Sequence, residues 1–280
     1  MTDERLTLKK RIEAELMSYD GLMGIYLNDL RGTELCLHAD EPFETASCCK
    51  MFILAALFDA VERGEKSLSE LLTFEERHII DGSGVLCSLE VGTRLSVLNT
   101  ATLMIIVSDN IATNMLIEYL GLSSINAFIK REGFENSILH NPIDFAKYDK
   151  LGTSTPRDYG RLFQGIAEGT LVSSEASRQM FEICEKQHYN TMLTGCLPPV
   201  YLDPDNYEEQ VISFASKSGS MDACRNDGGI VSTPYGRYVI VLFNKNFSDA
   251  MYYPAHPATI FGSRVSRLVF DQYMAKEGRL

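Results

Sequence analysis

The chain has 280 residues, 45% of them hydrophobic and 23% charged, which is enough apolar content to bury a core and too little charge for a disordered chain. The net charge is −12 with no Lys/Arg-rich run, so the electrostatic footprint of a nucleic-acid binder is missing and the acidity reads as solubility. No stretch is apolar for long enough to span a membrane.

The first 21 residues lack the basic start and uninterrupted apolar core of a secretory signal, and Leu6, Ile12, Leu16 and Met17 suit an amphipathic helix instead. The expected address is therefore the cytoplasm, or outside the cell if a leader has been removed. Seven cysteines without a CxxC pair suit reduced thiols, and vicinal Cys48 and Cys49 read as small buried helix residues rather than a redox device. The five histidines lack the spacing of a zinc site, and no metal or other cofactor is expected.

Residues 21–40 read as a hairpin turning around Asn28, Asp29, Arg31 and Gly32. Residues 51–65 form an apolar helix stopped near Gly64, and 96–121 read as two helices separated by Ser108-Asp109-Asn110. Further helices are expected over 125–134, 156–169 and 173–187. Residues 211–220 suit an edge strand, and 228–246 a second hairpin turning at Thr233-Pro234-Tyr235-Gly236. A last helix follows Pro257, with Ile260, Val265, Leu268 and Val269 on its apolar side. This order predicts one α/β (α+β) domain over 1–280. Residues 1–45 and 210–280 build an α/β lobe with an antiparallel sheet flanked by helices, and 46–209 build a mainly helical lobe.

Ser47 and Lys50 are i and i+3 at the start of the first apolar helix, so they share one face. Unpaired N–H groups and the helix dipole at that position favour an alkoxide or an oxyanion. A lysine partly desolvated beside the serine has its pKa pushed down and can take the serine proton as a neutral amine. Alone, Ser47 reads equally as an N-cap. Ser108-Asp109-Asn110 turns the chain between two helices and can project a hydroxyl and an amide into a cleft. Lys217-Ser218-Gly219 ends the edge strand with a cation, a hydroxyl and a residue that lets a substrate backbone approach.

These three elements in this order form the recognised SxxK, SDN and K[TS]G set of class A β-lactamases and penicillin-binding proteins. The chain resembles the class A β-lactamase family over nearly its whole length, including residues 103–121, 153–162 and 217–231. The resemblance implies two lobes with the site between them. It makes Ser47 the acylated nucleophile, Lys50 its base or proton relay, and Ser108 the donor to the leaving nitrogen. Asn110 would hold the substrate's amide side chain. Lys217 and Ser218 would bind its carboxylate beside Gly219, and the Ser47 and Ser220 N–H groups would form the oxyanion hole.

The match departs from the family at the loop before Thr155-Pro156. The residue preceding Pro142 is Asn141, where the family carries its water-activating glutamate. The loop is short, and Leu139 and Gly152 stand near the places of the family's Arg–Asp tie. Asp144 and Glu135 are the nearby carboxylates. Acylation of a β-lactam or peptide-like amide is thus expected, with slow deacylation. A D-alanyl-D-alanine peptidase-like enzyme and a non-catalytic binding module of the same fold are the alternatives. No oligomeric state follows from the sequence.

Overall fold

A computed structural model describes residues 3–202 and 212–280. Helix α1 (Asp3–Glu15) precedes strands β1 (Leu22–Asn28), β2 (Glu34–Leu37) and β3 (Phe43–Glu44). A 3₁₀ turn (Ala46–Cys49) leads into α2 (Lys50–Glu62). Strands β4 (Leu71–Thr73) and β5 (Arg94–Ser96) frame a long connection, and α3 (Val97–Ile106), α4 (Asn110–Leu120) and α5 (Leu122–Arg131) follow. The short strands β6 (Ile138–Leu139) and β7 (Gly152–Ser154) bracket the loop before α6 (Pro156–Glu168) and α7 (Ser174–Glu185). Strands β8 (Ser213–Ser216), β9 (Gly219–Met221), β10 (Cys224–Thr233) and β11 (Gly236–Lys245) lead to α8 (Pro257–Ala275).

The main sheet is antiparallel, in the order β2-β1-β11-β10-β8, with β9 also paired to β10. Alternation along its strands feeds two cores. Ala215, Ile230, Val239, Val241 and Phe243 join the core of the helical side, while Val231, Tyr238, Ile240 and Leu242 join the one beneath α1 and α8. Helix α2 runs through the first core and is buried from Lys50 to Ala60. Its apolar residues are continuous around the helix, which is the pattern of a central helix rather than a surface one. Each of its large side chains contributes about 1.5–3 kcal/mol by burial.

Several expectations need adjusting. The α-helix starts at Lys50, so Ser47 lies on the 3₁₀ turn before it. Three residues per turn still bring positions 47 and 50 into line along the axis. Met17 is not on a buried face: α1 ends at Glu15, and Met17 is 86% exposed. The side chain of Leu6, the start of the expected strand at Val211 and the lobe boundary at 209/210 lie outside the described residues. Among the described residues no helix is long and apolar enough to cross a membrane.

Candidate active site

The break between β8 and β9 places Lys217 and Ser218 at the sheet edge, facing the 3₁₀ turn and the α3–α4 junction. A cleft of about 510 Å³ opens there, lined by Ser47, Ser108, Asn110, Ser218, Gly219 and Ser220 among others. Ser108 Oγ lies between two buried lysines, accepting from Lys50 Nζ at 3.1 Å and from Lys217 Nζ at 3.2 Å. Lys50 Nζ also donates to the Ser108 carbonyl (2.7 Å) and to Asn110 Oδ1 (2.8 Å). Lys217 Nζ donates to the Ser218 carbonyl at 2.7 Å. Ser47 Oγ has no hydrogen-bond partner among the described residues, which leaves it free to approach a carbonyl in the cleft.

Neither lysine is ion-paired among the described residues. Burial pushes the pKa of Lys50 well below that of an ordinary lysine, and the charge of Lys217 adds to the effect. Burial also lowers that of Lys217. When neutral, Lys50 would keep two N–H donors for the Ser108 carbonyl and Asn110 Oδ1 and offer its lone pair to a hydroxyl.

The local sequence holds this cluster rigid. Ser108 adopts φ +53°, an uncommon conformation for a residue with a Cβ. Asp109 secures it as the N-cap of α4, accepting from Ala112 N (2.9 Å), while its other oxygen accepts from Val85 N (2.7 Å) and Leu86 N (2.8 Å). Asn110 Nδ2 donates to the Asp81 carbonyl at 3.0 Å. The Lys217 carbonyl accepts from Tyr159 Oη (3.0 Å) and Cys48 Sγ (3.4 Å), which moors the sheet edge to the nucleophile turn. Burial raises the Cys48 thiol well above its usual range. A Cβ on Gly219 would lie 2.8 Å from Ser47 N and 2.5 Å from the Thr45 carbonyl, so only glycine lets β9 pass this close.

A sequence model of the beta-lactamase enzyme family matches residues 7–273. The chain belongs to that family. A β-lactamase from Sphaerobacter thermophilus is 27% identical at a TM-score of 0.82, covering 94% of this chain and 95% of that one. PBP-A is 28% identical at a TM-score of 0.82, covering 98% of this chain and 97% of its own, and a mutant of PBP-A is known as an acyl-enzyme complex with penicillin G. A β-lactamase from Chitinophaga pinensis, 21% identical at a TM-score of 0.83 with 95% and 98% covered, shares the fold. No curated protein sequence matches significantly.

This β-lactamase-family chain departs from the sequence expectation at residues 138–152. Asn141 is directed into its own loop, with Nδ2 donating to the carbonyls of Pro142 (2.9 Å) and Lys150 (3.0 Å). Asp144 pairs with Lys147 at 2.7 Å, which lowers the pKa of its carboxyl. Neither lines the cleft, nor does Glu135; the loop residues that do are Phe145 and Leu151. Among the described lining residues there is no carboxylate.

The loop is tied by amide side chains rather than by an ion pair. Asn126 exchanges two hydrogen bonds with the backbone of Leu139 (2.8 and 2.9 Å), and Asn114 does the same with Ile143 (both 2.9 Å). Gly152 has no room for an aspartate: its Cβ would meet Thr45 Oγ1 at 2.7 Å and the Ile138 carbonyl at 3.0 Å. Asn114, Asn126 and Glu44 have no role in the sequence reading, and Asp109 enters it only as the middle of the Ser108-Asp109-Asn110 turn. Only Asp109 carried a readable signal, since it precedes an apolar helical run as an N-cap does.

Proposed function

We propose that the protein is a serine hydrolase that acylates Ser47 with β-lactams or peptide-like amides and releases the acyl group slowly. The observation that carries this reading is the Ser108 hydroxyl held between two buried, unpaired lysines in the same cleft as Ser47. Ser47 Oγ attacks the substrate carbonyl as its proton passes to neutral Lys50, after a side-chain rotation that brings the two together. The oxyanion is held by the Ser47 and Ser220 N–H groups, a contribution of about 3–4 kcal/mol per donor in other hydrolases. The C–N bond then breaks, and the departing nitrogen takes the Ser108 proton, which Lys50 replaces.

Lys217 and Ser218 favour a substrate carboxylate. Asn110 has one amide hydrogen left for the acyl side chain, since its Oδ1 and one N–H are committed to Lys50 and Asp81. Phe145, Leu151, Tyr189, Met221 and Tyr252 offer apolar walls to that side chain. Deacylation needs a base for water, and the absence of a carboxylate among the described lining residues supports a slow second step. That imbalance, with the likeness to PBP-A, favours a peptidase-like penicillin-binding enzyme as the second reading.

Intact-mass spectrometry after incubation with benzylpenicillin, followed by peptide mapping, tests the proposal. The expected result is one added penicilloyl group on Ser47. Labelling at Cys48 or Cys49, or no adduct and no turnover, contradicts it.

A further inference from the structure

We infer that Glu44 is a positioning residue for acylation, setting the nucleophile turn and the end of the cleft-lining loop through a single carboxylate oxygen. The inference rests on the reading of Ser47 as nucleophile. Glu44 Oε1 accepts from Ala46 N (3.1 Å), Leu151 N (3.1 Å) and Gly152 N (3.2 Å). The first belongs to the residue before Ser47, and the second to a cleft-lining residue of the 138–152 loop. One oxygen therefore joins the two segments that must hold an acyl group between them.

The turn needs such a holder. Ala46 has φ +45°, a left-handed conformation that is unfavourable for an L-residue. Its N–H points at Glu44 rather than at a helix carbonyl. If Ala46 relaxed to a right-handed conformation, the Ser47 N–H and Oγ would swing away from Gly219, whose Cα approaches the Ser47 N–H too closely to allow a side chain. The backbone alone provides a weaker tie: Thr45 N donates to the Gly152 carbonyl at 3.0 Å, and β3 pairs with β7 over two residues.

The carboxylate is retained at a cost. Glu44 Oε2 is buried without a hydrogen-bond partner among the described residues, and an unsatisfied polar atom there is unfavourable. The three N–H groups gathered by its twin oxygen offset that cost. An apolar residue would avoid the orphaned oxygen but leave three amides without an acceptor. The same contacts replace the ion pair that the sequence lacks around Leu139 and Gly152, at a position where a side chain on residue 152 does not fit.

The test compares Glu44→Ala, Glu44→Gln and Glu44→Asp with the parent protein. The readouts are the benzylpenicillin acylation rate by time-resolved intact mass and hydrogen exchange at Ala46, Leu151 and Gly152. Glutamine keeps the acceptor oxygen, so Glu44→Gln should acylate within about threefold of the parent and keep the three amides protected. Glu44→Ala should acylate at least about thirtyfold more slowly and lose that protection, while exchange in α2 and β11 stays as in the parent. Glu44→Asp, one methylene short, should behave like alanine, and it carries the test if the alanine variant does not fold. Acylation within twofold of the parent in a folded Glu44→Ala or Glu44→Asp, or unchanged protection of the three amides, overturns the inference. If the parent itself is never acylated, the reading of Ser47 has failed instead. Loss of protection then still upholds the Glu44 tie, and unchanged protection overturns it.

Discussion

The two walls of the cleft are built on opposite chemical plans. On the side of α2, the α3–α4 junction and β8, two buried lysines share one serine hydroxyl, and Ser47 Oγ has no hydrogen-bond partner among the described residues. On the side of the 138–152 loop, the cleft meets Phe145 and Leu151, and the loop backbone is held by its own Asn141 and by Asn114 and Asn126 from α4 and α5. The first wall can move protons during C–N cleavage. The second can shape an acyl group but offers no base to a water molecule. On the proposed reading, one cleft separates the two halves of a hydrolytic cycle and equips the first far better than the second.

The most severe way to break the contrast is to disarm the first wall. Lys50→Ala should reduce benzylpenicillin acylation by about 10²–10⁴-fold, as loss of a general base does, measured by time-resolved mass spectrometry. In the parent, the acylation rate should climb with pH through a pKa below that of ordinary lysine, because neutral Lys50 is the competent form. That limb should vanish in the variant.

The second wall can be sharpened by giving it what it lacks. Leu151→Glu places a carboxylate on the loop residue that lines the cleft near Ser47. Steady-state penicillin hydrolysis should rise by roughly tenfold, a modest share of what a well-placed base supplies, and the burst should keep its amplitude. The variant should also melt at a lower temperature, because Leu151 is 2% exposed and its replacement buries a charge. The same substitution at Asn141 should leave turnover unchanged, since that side chain is directed away from the cleft.

A smaller effect separates the walls by pH. Asp227, on β10 beneath the first wall, is buried, and burial raises its pKa to about 7, opposed by the N–H groups of Leu193 and Gly228 and by the charge of Lys217. Between about pH 4 and 7 the folded chain holds a proton that the unfolded chain has lost, so stability falls as pH rises through that window. Asp227→Asn should flatten the fall in melting temperature between pH 5 and 8. Asp144→Asn on the loop should not do the same: the pKa of Asp144 is lowered by Lys147, so its titration lies below the window.

The same contrast decides how much was legible in the sequence. Ser47, Lys50, Ser108 and Lys217 announce themselves because each motif is short and its geometry is set by a turn or a strand end. The long helices and both hairpins were equally readable, since their periodicity runs over many residues. Strands β3, β6 and β7 were not, because two or three residues carry no period. The orientation of Asn141 depends on the carbonyls of Pro142 and Lys150, and the role of Glu44 on a loop more than 100 residues away. Such contacts exist only once the fold has formed. The adjacency of Asn141 to Pro142 suggested a catalytic position that the loop's path does not support.

The central claim is that acylation and deacylation are unequally equipped, and rapid-mixing kinetics with benzylpenicillin test it most directly. The account predicts a burst equal in amount to the enzyme, then a steady rate about 10²–10⁴-fold slower than the burst, with Ser47 acylated throughout. Fast turnover without a burst, and without any accumulated acyl-enzyme, would contradict it.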